Sequence, residues 1–256
     1  MERFLAADVA FTRYNSERAL RPEDGALERR RFGRAVAVRD LGRADGYYNR
    51  VIGLSEDGLP RLEEICAWFL EAGRACEVTL TPERASARLV AALEERGFRL
   101  RGKDAYMAAR CTAFEAPSSE LRIRRAVRED LDAVFDLWGE PSSPPVPPEV
   151  RARRSEAHLT SEFLIYLGFQ GQQPVAMATT FLGEGLAWLG NANTLASHRR
   201  LGYQLALFQH RLWDARERDC GWALSDMEPG SASQRNAERA GMELAFQTST
   251  LVLESE

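Results

Sequence analysis

The residues best suited to chemistry lie in one stretch: Asn193-Thr194-Leu195-Ala196-Ser197-His198-Arg199-Arg200-Leu201-Gly202-Tyr203-Gln204-Leu205-Ala206. Two adjacent arginines and a glycine stand directly ahead of Leu205, Phe208, Leu212 and Ala215. The spacing of those four apolar residues follows the period of a helix and not that of a strand. A helix begins with backbone N–H groups that have no partner inside it, at the positive end of its dipole. A glycine at that point lets an anion approach without meeting a Cβ, and arginines beside it add positive charge. Arg199-x-x-Gly202 therefore has the parts of a phosphate cradle.

Such a loop needs a strand before it and a helix after it, and the pattern supplies both. Phe163 to Phe169, Pro174 to Leu182 and Leu186 to Asn193 read as three strands, with turns at Gly171 and at Gly183-Glu184-Gly185. After the loop and its helix come a strand from Trp222 to Met227, a helix opened by Ser231, and a final pair of strands. Ser231 with Gln234 fits a capping box. Further upstream, Leu121 and Ile123 alternate with Arg122 and Arg124 as a half-exposed strand, and Leu131, Val134, Phe135 and Trp138 mark a helix. Pro141 to Pro148 is too rich in proline for a helix throughout and reads as a stiff loop. Trp138 and Trp188 suit either an apolar pocket or the core.

The first half carries fewer chemical signals. Residues 1–32 show no clear period, and Glu28 to Phe32 reads as a solvated stretch near the end of a helix. Strands are expected at Gly33 to Asp40, Tyr47 to Leu54 and Glu77 to Leu80. Leu62, Ile65, Cys66, Phe69 and Leu70 predict an amphipathic helix that ends at Gly73. Thr81 and Pro82 suit the start of another, stopping at Gly97, with a hairpin over 98–111 to follow. Ala113 to Glu120 is a short polar linker, which divides the 256 residues into domains at 1–115 and 116–256. A hidden repeat supports that division. Gly58 and Gly202 are 144 residues apart, as are Gly97 and Gly241, and similar elements lie between each pair.

Composition excludes several classes. The net charge is −4 with no long block of one sign, against a molecule covered by a nucleic-acid surface. No apolar run approaches the length of a membrane span, and the charged N-terminal run does not read as a signal peptide. Cys66, Cys76, Cys111 and Cys220 form no C-x-x-C pair, and His158, His198 and His210 lack metal-ligand spacing. A reduced, cytoplasmic protein without a metal is expected. Neither G-x-x-x-x-G-K-[ST] nor G-x-G-x-x-G after a strand is present, so a nucleotide-binding module is the weaker class.

At this point the residues resemble a family. Arg199 to Gln204 resembles the R-x-x-G-x-G/A loop with which GNAT acyltransferases hold the pyrophosphate of acetyl-coenzyme A. Pro229 to Met242 resembles the last helix of the GNAT fold, with Gly241-Met242 in place of Gly-Phe. The resemblance covers residues 121–256. It implies an α/β (α+β) architecture of two GNAT-like domains, each a mixed, mostly antiparallel sheet flanked by helices. It implies acetyl transfer from acetyl-CoA to a primary amine of a small molecule or peptide. Thr194, Leu195 and Ala196 would pair with the pantetheine amides, and Arg199, Arg200, Leu201, Gly202, Tyr203 and Gln204 would hold the pyrophosphate. Asn236 would reach the cofactor from the last helix, and Asp226 or Glu228, at the end of a strand beside the cleft, would act as base. Those two acids also suit the dipole of the helix that follows.

The chain departs from the family pattern at two positions. Gln204 stands where Gly or Ala is usual, and Ala237 stands where many members place a tyrosine acid. Those departures keep open a non-catalytic protein that binds coenzyme A or regulates. In the first half, Ser55, Glu56 and Asp57 precede Gly58 where the second half has Arg199, Arg200 and Leu201. Carboxylates repel a pyrophosphate, which makes the first half a degenerate copy. The expected partner is a small-molecule amine, with no nucleic acid and no membrane, and a homodimer stays open.

Overall fold

The computed structural model describes residues 2–18, 27–138 and 147–254. In chain order these form α1 (Glu2–Glu17), β1 (Leu27–Phe32), β2 (Ala35–Asp40), β3 (Arg50–Ile52), α2 (Leu62–Leu70), β4 (Cys76–Leu80), α3 (Ala87–Glu95) and β5 (Arg99–Arg110). They continue with β6 (Arg122–Arg125), α4 (Leu131–Trp138), α5 (Pro148–Arg154), β7 (Phe163–Gln170), β8 (Gln173–Gly183), β9 (Leu186–Thr194), α6 (Tyr203–Glu217), β10 (Trp222–Met227), α7 (Ala232–Arg239) and β11 (Glu243–Leu253). The chain divides into two compact units. Residues 2–18, 27–106 and 246–254 make the first, and 107–138 and 147–245 the second. The chain thus passes between units inside β5 and again inside β11.

In the first unit β1, β2, β3, β4 and β11 are neighbours in that order. All of these pairs are antiparallel except β3 with β4. Phe32, Leu62, Ile65, Phe69, Val78, Leu89 and Phe98 make its core, and α2 turns Leu62, Ile65, Cys66 and Phe69 inward. Leu70, expected on that face, is exposed. Four local readings of the sequence are corrected here. Glu28 to Phe32 is strand β1 and not the end of a helix; its arginines stay solvated while Arg30 and Arg61 cover the Phe32 ring. Between Tyr47 and Leu54 only Arg50–Ile52 is strand, after a short 3-10 turn at Gly46–Tyr48. α3 starts at Ala87 because Ser86, not Thr81, caps it, its side chain accepting from Leu89 N. The hairpin expected over 98–111 is one unbroken strand, β5, because Gly102 lies inside the strand and makes no turn.

In the second unit the order is β6, β7, β8, β9, β10 and then β5. β6–β7, β7–β8 and β8–β9 are antiparallel and β9–β10 is parallel. Every residue of β7 from Phe163 to Phe169 is buried, as in a strand covered on both faces. Consecutive residues of a strand point to opposite faces. Trp138 of α4 stacks on Phe163, whereas Leu207 of α6 packs against Leu164, so the two helices cover opposite sides. Burial of a side chain such as Leu207 contributes about 1.5–3 kcal/mol. The final pair of strands expected from the sequence is a single strand, β11. Residues 141–146 of the proline-rich stretch lie outside the described residues; Pro147 and Pro148 open α5.

The sheet is mixed and mostly antiparallel, with helices on its faces, as the fold class expected. Two successive stretches of the chain also repeat an order. Strands β1, β2 and β3, helix α2, strand β4, helix α3 and strand β5 are matched by β7, β8, β9, α6, β10, α7 and β11. In each series the third and fourth strands form the parallel pair.

Candidate phosphate-binding site

The site is built where β9 and β10 part. Their parallel ladder runs over three pairs only, from Leu186/Trp222 to Trp188/Leu224. One residue later the Ser225 hydroxyl donates to the Leu189 carbonyl at 2.7 Å, where a backbone rung would otherwise continue. On its other side β9 breaks register with β8 between Met177 and Thr179. Asn191, inside that bulge, has φ +42°. A bulge bends the strand that carries it. The end of β9, Asn191 to Thr194, is thereby freed from β10.

The loop that follows puts the N-terminus of α6 into this gap. Ala196–His198 is one 3-10 turn, Arg200 takes the left-handed conformation (φ +66°), and so does Gly202 (φ +80°), the N-cap of α6. A left-handed arginine is strained by about 1 kcal/mol, and such strain gathers at functional sites. No side chain caps α6. The first helical bond runs from Ala206 N to Gly202 O, which leaves the N–H groups of Tyr203, Gln204 and Leu205 without a partner in the helix. A Cβ placed on Gly202 would meet nothing within 4 Å. Space and donors occur together.

A cavity of about 600 Å³ lies there. Of the residues expected to hold a cofactor, Thr194, Arg199, Arg200, Gly202, Tyr203, Gln204 and Asn236 line it. Leu195, Ala196 and Leu201 do not: Leu195 packs beside Val175 and Ala206, Ala196 opens the 3-10 turn, and Leu201 is exposed. Thr194 is fixed from two directions. Arg199 Nε donates to its carbonyl at 3.2 Å and Gln204 Nε2 to its hydroxyl at 2.7 Å. Gln204 thus holds the end of β9, a task that Gly or Ala would leave undone.

The sequence reading missed His198, Arg235 and Arg239, which also line the cavity. Arg235 and Arg239 are four apart on α7, and that spacing puts them on one face of a helix. Arg235 Nη1 donates to the Gly230 carbonyl at 2.6 Å. Four arginines therefore face one cavity, and among its described lining residues there is no carboxylate. This electrostatic balance suits a ligand with several negative charges. α7 is capped as expected at one end, Ser231 accepting from Gln234 N at 3.2 Å. Gln234 Oε1 reaches Gly230 N and not Ser231 N, so the capping box is shifted by one residue.

The two candidate bases sit at the end of β10, and neither lines the cavity. Asp226 is exposed, and its Oδ1 accepts from Trp188 Nε1 at 3.2 Å. Glu228 is exposed, and its carbonyl accepts from Ser231 N at 3.2 Å. Trp188 is a buried core residue. Ala237 is fully buried on the inner side of α7 and is not part of the cavity wall. Among the described residues no three His, Cys, Asp or Glu side chains gather as metal ligands, and no helix is long and apolar enough to cross a membrane.

The first unit has a smaller hollow, about 320 Å³, at the matching place, lined by Leu59, Arg88, Ala91, Ala92, Glu95 and Arg96. Its loop is closed. Gly58 is buried, and a Cβ there would lie 2.6 Å from Leu54 Cδ1. The side chain of Leu54 fills the space that stands open at Gly202.

The same architecture occurs in solved structures. A GCN5-related N-acetyltransferase from Kribbella flavida matches with TM-score 0.65 and 19% identity, over 89% of both chains. One from Sphaerobacter thermophilus matches with TM-score 0.61 and 18% identity, over 86% of this chain and 80% of that one. A functionally unknown conserved protein from Staphylococcus epidermidis matches with TM-score 0.62 and 10% identity, over 91% and 95%. No protein-family model and no curated protein sequence matches the chain. At these identities the likeness is one of fold: this is the GNAT fold.

Proposed function

We propose that the second unit is an acetyl-CoA-dependent N-acetyltransferase acting on a primary amine of a small molecule or peptide. The observation that carries this reading is the uncapped N-terminus of α6, with an open Gly202, facing a cavity whose described lining residues include four arginines and no carboxylate. A diphosphate placed there would take the N–H groups of Tyr203, Gln204 and Leu205, with Arg199 and Arg200 beside it. The freed edge of β9 at Asn191–Thr194 offers backbone groups to the pantetheine amides. The neutral amine would attack the thioester carbonyl, forming the C–N bond as the C–S bond breaks. A thiol with pKa of about 8.5 leaves without strong assistance, so Ala237 in the place of a tyrosine acid does not forbid turnover. The amine proton would pass to Asp226 or Glu228 through water.

On this reading residues 1–115 are a degenerate copy from a duplication, their loop plugged by Leu54, and residues 116–256 are the cofactor-binding domain. Four buried free cysteines agree with a reducing, cytoplasmic setting. The second reading, coenzyme A binding without turnover, draws on the absence of a carboxylate among the described residues of the cavity wall.

Calorimetric titration with acetyl-CoA, followed by a thiol-release assay over a panel of amines, separates the two. Micromolar binding, about 8 kcal/mol, with amine-dependent thiol release supports the enzyme. Binding without release from any amine supports the second reading. No binding removes both.

A further inference from the structure

We propose that Arg211 of α6 is a positioning residue that pins the bulge of β9 and so holds open the wall of the cavity; the proposal rests on the cofactor-binding reading given above. Arg211 is only 1% exposed, the most deeply buried arginine described. Its Nη1 donates to the carbonyl of Thr179 at 3.0 Å and also contacts that of Gly190 at 3.3 Å. Those two residues face each other at the register break; the ladder of β9 with β10 ends just before them, at Trp188, and β9 rejoins β8 beyond the bulge at Asn193 and Thr194. Thr179 Oγ1 reaches the same Gly190 carbonyl at 3.0 Å, and Asn191 Nδ2 reaches Thr179 Oγ1 at 3.4 Å. The bulge is therefore tied by one cation to the helix whose first turn forms the phosphate cradle. Arg211 Nε donates to Leu207 O at 3.1 Å, and its guanidinium lies 4.6 Å from the Phe208 ring centroid, which fixes the side chain along α6.

A merely structural role would be cheaper to fill with an apolar residue. Among the described residues Arg211 forms no ion pair with a carboxylate, and its Nη2 has no hydrogen-bond partner. Burial pushes its guanidinium down to about 9, with Tyr166 acting the other way. Retaining a buried cation without a carboxylate partner is costly. The benefit set against that cost is the link between carbonyls and helix: Nη1 reaches both strand carbonyls while Nε holds Leu207 O, a span of the planar guanidinium that a single ammonium cannot make.

The test uses the full chain with Arg211→Met and Arg211→Lys. Hydrogen exchange is followed by mass spectrometry in peptides covering 186–195, with 163–170 as reference, and acetyl-CoA affinity, KM and kcat are measured on the same samples. In Arg211→Met the amides of Gly190 to Thr194 should exchange faster while β7 keeps its protection. Acetyl-CoA binding should weaken about 10-fold and its KM rise in step, with kcat nearly kept, from the loss of one charge-assisted hydrogen-bond link. Arg211→Lys should recover part of both effects. Unchanged exchange at 190–194 in a folded Met or Lys variant overturns the proposal, as does loss of protection spread evenly over β7 and β9. If wild type binds no acetyl-CoA, the functional reading falls, while the exchange result still decides the role of Arg211.

Discussion

The sharpest consequence of the open loop concerns Gly202, replaced in parallel by Asn and Asp. Both side chains enter a space where a Cβ meets nothing within 4 Å, so neither creates a clash. Both residues tolerate φ near the observed +80° better than most, which keeps the backbone cost to about 1 kcal/mol or less. The two variants have the same shape and differ by one charge. A carboxylate about 5 Å from a diphosphate repels each of its charges by roughly 0.8 kcal/mol in bulk water and roughly 3 kcal/mol at an effective dielectric of 20. Two phosphate charges then give at least about 1.6 kcal/mol, or about 15-fold in affinity. Gly202→Asn should retain most of the acetyl-CoA binding seen by calorimetry, and Gly202→Asp should lose at least that factor. The loss should shrink as salt is raised, because the cavity is open to solvent. Equal affinities for the two variants, with melting temperatures like wild type, would show that no phosphate sits at the start of α6.

Two further perturbations probe the framework under the site. Asp130 accepts from both Nη atoms of Arg124, at 2.6 and 2.8 Å, and from Val127 N at 2.8 Å, and the Arg124 bonds hold its carboxyl below the usual range. A lowered folded pKa gives stability that is complete above the unfolded value of about 3.9 and is lost as pH falls through the folded one. Urea unfolding should therefore show Asp130→Asn about 1 kcal/mol less stable at pH 7, after allowance for solvent screening, with the difference shrinking as pH falls below about 3.9. Leu207→Ala removes a fully buried side chain between α6 and β7–β8 and should cost about 2–5 kcal/mol in the same assay.

The parts of this site that could be read from the sequence were those with a short-range cause. The apolar spacing of Phe208, Leu212 and Ala215 marked α6, and all three are buried. An arginine pair before a glycine marked the loop because backbone geometry at a helix start depends on neighbours alone. Arg211 escaped notice because its value lies in carbonyls of β8 and β9, far away in the chain, and charge at that place in a helix reads as surface. The bulge had no sequence mark for the same reason: it comes from pairing, and Gly190-Asn191 inside an apolar run looks like the end of a strand. Thr81-Pro82 misled in the opposite way. The pair has the right types for a helix start, yet Arg84 N and Ala85 N both bond to Thr81 O and make a turn, and Ser86 then supplies the cap. β5 and β11 were broken in two because a glycine or a polar cluster in a strand resembles a hairpin until its neighbours are known.

The route of the amine proton can be argued further from the end of β10. Asp226 and Glu228 lie two residues apart, both exposed, and the cavity wall contains neither. A base there must act through water, and its usefulness depends on how well it is held. Asp226 has the firmer position, since the indole of the buried Trp188 donates to it, whereas among the described residues Glu228 is held through its backbone carbonyl. The geometry thus favours Asp226 as the group that orders a water near the amine. Asp226→Asn should lower kcat about 100-fold and abolish the acidic limb of the pH–rate profile, and Glu228→Gln should change kcat less than about 3-fold. The amine must itself be neutral to attack, so the profile is taken with two amines of different basicity; a limb that moves with the amine belongs to the substrate. The reverse order of effects would assign the base to Glu228. If both variants keep wild-type kcat and the same limb, no carboxylate takes the proton, and bulk water receives it directly.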